Sequence, residues 1–191
     1  MSTSVTVAPR EIHDLVYRAS SVAGCDAGMA ERIAHNVTFA EIHHSGAVRA
    51  FCEALETTAL PTSAWVTAPD ALAAAELAAR DRGTASVTFE PPVPLAAIAA
   101  TLQQSLERGV ASTGADADAR ADTTVSAIEL RLIDDPAASA RQAQIDHTRA
   151  NAYRHGIAVE QAWFSRLEAA AADYLVAEST LDEIDSRPNV A

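Results

Sequence analysis

Isolated glycines divide this chain into stretches whose apolar residues recur at a roughly 3.6-residue spacing, which commits most of it to short amphipathic helices. Gly24, Gly46, Gly83, Gly109 and Gly156 stand at the ends of such stretches. A residue without Cβ leaves a helix in the left-handed conformation at little cost. From Pro9 to about Ala23 the stripe is Ile12, Leu15, Val16, Ala19 and Val22. Asp26 is placed to cap a second helix that carries Met29, Ala30, Ile33, Val37 and Ala40 as far as the pair His43 and His44. Past Gly46, Val48, Phe51, Cys52 and Leu55 predict a third helix ending before Pro61.

The middle is mixed. Trp65 to Thr67 reads as a short strand, and Asp70 as the cap of an alanine-rich helix that stops at Gly83. Ala85 to Glu90 reads as a strand terminated by Pro91 and Pro92, which cannot donate to a ladder. Leu95 to Arg108 predicts a helix, and 111–122 a loop without periodicity. Val125, Ala127 and the run Ile128 to Ile133 form the strongest strand signal. Pro136 to His155 predicts a long polar helix closed by Gly156, followed by an extended link over Ile157 to Val159. A last helix carries Trp163, Leu167, Ala170, Ala171 and Tyr174. The expected fold is α+β and helix-dominated, with the N-terminal and C-terminal helices packed together around a small sheet of two to four strands. One domain is expected over 1–176, with an acidic tail over 177–191.

Composition limits the function classes. Apolar residues make up 49% of the chain and aromatic residues only 5%. Alanine favours helices, but each buried methyl removes little area from water, so a thin core completed by a second copy, a homodimer, is the expectation. The net charge of −12, with cations scattered, argues against nucleic acid and anionic membrane as partners. All 14 basic residues are arginine, as the codon bias of a GC-rich bacterial genome would give. Lysine chemistry (Schiff base, pyridoxal anchor, P-loop) is thereby excluded. Cys25 and Cys52 have no metal or redox spacing and read as small core residues. The segment Met1 to Pro9 lacks the regions of a signal peptide, and no apolar run approaches ~20 residues, so a cytoplasmic location is expected.

The run Ile42-His43-His44-Ser45-Gly46-Ala47-Val48-Arg49 resembles the His-Asp-Ser-His-Gly-Val-x-Arg motif of the malate/L-lactate dehydrogenase family, nicotinamide-dependent enzymes distinct from Rossmann-type dehydrogenases. At the other end Arg141, Arg149 and Arg154 precede Gly156-Ile157, and Trp163, Leu167 and Ala171 follow in the order that this family shows. The stretch Trp163 to Ser179 is also similar to the end of a bacterial family of unknown function. With Gly46 and Arg49 aligned, Ser45 falls where the dehydrogenase family keeps its proton-transferring histidine, and His44 is its neighbour. Family members are much longer, the difference being the sheet domain that holds the nicotinamide. No glycine-rich loop here would cradle a pyrophosphate, so no cofactor is expected.

The densest polar group is His43, His44, Ser45 and Arg49 beside Glu41. An imidazole moves protons near neutrality and a guanidinium fork holds a carboxylate, so these four are the candidate catalytic residues. The structural alternative is a polar helix end whose histidines satisfy terminal carbonyls. His147, Arg149 and His155 read as solvated surface, and Trp163 and Tyr174 as core or dimer contacts. No ligand spacing indicates a metal. What the resemblance implies is a shortened relative repurposed as a cofactor-independent biosynthetic enzyme (isomerase, lyase or cyclase) acting on a small carboxylate or enol. A residual oxidoreductase and a non-catalytic partner subunit are the alternatives.

Overall fold

The computed structural model describes residues 3–116, 118–133 and 137–174. The helical stripes become α1 (Pro9–Val22), α2 (Ala27–His44) and α3 (Ala47–Thr57). In α1 the buried residues Ile12, Val16 and Ala19 form the inward face. Asp26 caps α2, its carboxylate accepting from the Met29 N–H at 2.8 Å. α2 is the hub of the fold: it packs against α1, α3, α5 and α6.

α4 (Ala64–Arg82) begins earlier than the sequence suggests. Trp65 to Thr67, read as a strand, is its first turn. Ser63 Oγ accepts from the Trp65 N–H at 3.2 Å. Trp65 and Val66 are buried, with the indole edge-on to Phe51 at 5.8 Å, and this burial outweighs the β propensity of the short run. Asp70 therefore lies inside the helix and pairs with Arg32 on α2.

Two small sheets complete the fold. β2 (Thr84–Pro94), β4 (Thr124–Leu132) and β3 (Val110–Thr113) form an antiparallel sheet in the order β2-β4-β3, with α4 against it. β2 does not end at its prolines. It pairs with β4 up to Thr88↔Ala127, breaks register, and resumes at Val93↔Val125, so Pro91 and Pro92 fall in the irregularity, where no ladder bond is needed. β3 occupies the start of the region read as a loop, and a side chain on Gly114 would strike the Ala127 carbonyl as the chain leaves the sheet. α5 (Ala99–Glu107) follows a 3-10 turn at Leu95–Ala97, so the helix read over Leu95 to Arg108 is two elements.

α6 (Ala137–His155) leads into β5 (Ile157–Glu160) and α7 (Gln161–Ala171). β5 pairs antiparallel with β1 (Ser4–Val7), from Ser4↔Glu160 to Val7↔Ile157, joining the two ends of the described chain. α7 lies against α1 and α3, as expected for the terminal helices. The fold is α+β and helix-dominated, with seven α-helices and sheets of two and three strands among the described residues. Phe51, Ile12, Ile33, Leu72, Ile128 and Leu167 are fully buried. Cys25 and Cys52 are buried free thiols. No described helix is long and apolar enough to cross a membrane. The expected tail over 177–191 lies outside the described residues.

Candidate functional site

The turn between α2 and α3 sets the geometry of all four candidate residues. Ser45 has φ 56° and ψ 151°, a conformation rare for a residue with Cβ, and Gly46 follows at φ 83°. Buried Glu41 holds this turn from inside, accepting from the Gly46 N–H at 3.2 Å and the Val48 N–H at 2.8 Å. These are amides that the start of α3 leaves without helical partners. Ser45 adds its carbonyl, which accepts from the Ala121 N–H at 3.0 Å.

His43 and His44, in the last turn of α2, line one cavity of about 440 Å³. Its walls come from α2 (Phe39), α5 (Leu102, Gln103, Leu106), the segment holding Asp116 and Asp118, and α6. His44 Nδ1 lies 3.0 Å from the Ala119 carbonyl. A carbonyl only accepts, so Nδ1 carries the proton and the lone pair of the neutral ring is on Nε2. Burial lowers the pKa of His44, opposed by the Ala119 hydrogen bond and by Asp118. His43 stacks on Phe39, with ring centroids 4.3 Å apart. Among the described residues its buried Nε2 has no hydrogen-bond partner. Burial, then His44 and the Arg149 cation, push its pKa down to about 4. Both rings are thus held toward the neutral form, and His44 bonds a carbonyl far along the chain instead of the end of its own helix.

Ser45 and Arg49 lie elsewhere. Both are exposed, and they line a separate cavity of about 190 Å³ with Glu41, Arg120, Glu160 and Trp163. Arg49 Nε donates to Glu53 at 2.9 Å, and its guanidinium sits 5.7 Å from the Trp163 ring centre, with Arg166 closer at 4.5 Å. Arg120 Nε donates to Asp122 at 3.2 Å. The structure therefore brings the two imidazoles together but does not make them converge with the guanidinium. The reversal at Ser45 and Gly46 sends α3 away from the larger cavity.

The sequence reading missed Gln103, Asp116, Asp118, Gln144 and Thr148 in the larger cavity. Gln103 is buried beside Leu102, but only the structure shows it, since the sequence does not distinguish it from the neighbouring Gln104. The aspartates lie in a segment without periodicity, which gives no indication of where it packs. His147, Arg149 and His155 are exposed. Trp163 is partly buried, and Tyr174 is exposed with its ring edge-on to Tyr17 at 6.1 Å. Among the described residues no group of three or more His, Cys, Asp or Glu side chains is disposed to hold a metal ion.

No protein-family model, no curated protein and no solved structure matches the chain.

Proposed function

We propose that this chain is a cofactor-independent enzyme that moves a proton on a small enol- or carbonyl-type compound, with His44 as the base. The observation that carries this reading is the 3.0 Å contact between His44 Nδ1 and the Ala119 carbonyl, which fixes the tautomer and leaves Nε2 as the proton acceptor. Burial favours the neutral ring, the form a general base needs. A cavity of about 440 Å³ suits a small organic molecule. Among the described residues its lining includes Asp116 and Asp118 and no arginine, which favours the enol or ketone class over a carboxylate. An isomerase, lyase or cyclase step begins with such a proton transfer. The likeness of the two ends to the malate/L-lactate dehydrogenase family supports descent from an enzyme that handles similar carbonyl compounds.

The test is solvent deuterium exchange at the α-carbon of a panel of small uncharged ketones and β-dicarbonyl compounds, followed by NMR. The expected result is exchange of at least one compound by the wild-type chain and a loss of 100-fold or more in His44→Gln, the scale of a lost general base. No exchange across the panel, or exchange equal in His44→Gln, overturns the reading.

A further inference from the structure

The larger cavity has one wall unlike the others. α2 and α5 are anchored by fully buried residues such as Val37 and Ala100 and by Asn36, which joins them; the described side chains of α6 have little of this. Of the α6 side chains described, from Gln142 to His155, only Ala152 is buried, while Tyr153 is 61% exposed. A helix that is polar on nearly every side gains little from docking. Among the described side chains its hydrogen bonds to α5 run through Gln142: Gln103 Nε2 donates to Gln142 Oε1 at 2.6 Å, and Gln142 Nε2 donates to Glu107 at 3.4 Å. Below that contact Gln144, Ile145 and Thr148 face the cavity. Beyond the helix, Gly156 takes a left-handed φ of 77° before β5, which is tied to β1.

What lies under α6 favours its departure. Among the described residues the buried His43 Nε2 has no hydrogen-bond partner, a cost that falls away once water reaches the ring. The Arg149 cation of α6 also bears on that ring and gains nothing from it. By its described side chains the same helix completes the cavity wall and is thinly anchored to the body of the fold, its remaining packing being against α2.

We infer that α6 is a separable cover over the His43–His44 cavity, latched by Gln142 to Gln103 and Glu107, which opens while the rest of the fold stays intact. Ligand then enters beneath α6, and closure completes the wall over the imidazoles. This does not depend on which reaction, if any, occurs in the cavity.

Hydrogen–deuterium exchange on the full chain tests it. Amides of 145–155 are expected to exchange through an opening whose rate low urea leaves unchanged, while α2 amides exchange far more slowly and accelerate with urea, as global unfolding requires. Gln142→Ala, a change on a partly exposed polar helix, should speed exchange in 145–155 roughly fivefold, the equivalent of one hydrogen bond, and leave α2 unchanged. Protection of α6 equal to that of α2, a common urea dependence, or a Gln142→Ala effect that is absent or shared by both helices overturns the inference.

Discussion

Asn36 Oδ1 accepts from the backbone N–H of Ala100 at 3.0 Å and of Thr101 at 3.3 Å, so a side chain on α2 caps a helix whose first-turn amides lie 64 and 65 residues later in the chain. Ile98, just before α5, offers no capping side chain of its own. Asn36 Nδ2 is used as well, donating to the Arg32 carbonyl at 3.0 Å. Glu41, one turn and a little further along α2, does the same for α3. Asn36 and Glu41, two of the buried polar residues of the hub helix, are thus remote caps that fix the ends of two neighbours.

Asn36→Ala should accordingly cost more than an ordinary cap. Both amides at the start of α5 lose their acceptor in a buried setting, and about 2–3 kcal/mol of stability is expected to go. Urea denaturation measures it; a loss below about 0.5 kcal/mol would mean that water replaces the side chain.

Ser45 stores strain where Gly46 does not. A residue with Cβ at φ 56° and ψ 151° occupies a region natural only to glycine. Ser45→Gly should raise stability by about 1 kcal/mol, the relief of strain exceeding the extra chain entropy of glycine. Thermal unfolding should show a higher midpoint. A lower one would mean that the serine side chain holds the turn in some way that outweighs its backbone.

Much of this architecture is legible in the sequence because helices are local. The stripe from Ile12 to Ala19 and the Asp26 cap require no knowledge of distant residues. β1 is illegible for the opposite reason: the four residues Ser4–Val7 become a strand only by pairing with residues around Val159. The same holds for β3 against β4. Pro91 and Pro92 misled because a proline forbids a ladder bond but not a bulge. In the candidate site the neighbours His43 and His44 stand out by composition, yet their separation from Arg49 is decided by one turn whose conformation at Ser45 no propensity would predict. Ala119, which sets the tautomer of His44, contributes only a carbonyl and so carries no side-chain signal.

Glu76 joins α4 to α5. Its carboxylate receives Arg108 Nε at 2.8 Å, Ser105 Oγ at 2.8 Å and Arg80 Nε at 3.1 Å. The Arg108 hydrogen bond, with those from Ser105 and Arg80, pulls its pKa down to about 2 against the opposing effect of burial. A carboxylate with a lowered pKa in the fold stabilises it fully above the unfolded value near 4.5, and the contribution fades as pH falls toward 2. Glu76→Gln is expected to cost about 2 kcal/mol at pH 7, discounted because both arginines are partly exposed, and distinctly less at pH 3. Urea titrations at the two pH values check this. An equal cost at both would assign the effect to packing and not to charge.

His43 makes the complementary prediction. Its pKa falls from 6.5 to about 4 in the fold, so the unfolded chain binds a proton more readily, and stability declines as pH drops from about 6.5 to 4. His43→Leu removes both this linkage and the orphaned Nε2, while the contact with Phe39 persists in apolar form. The variant should equal or exceed wild type at pH 7 and be more stable by about 1–2 kcal/mol at pH 5, where the wild-type ring must stay neutral against its preference. Unfolding free energies across that range decide the matter. A wild type and variant that decline in parallel would show that His43 meets water in the folded state, and that α6 does not keep it dry.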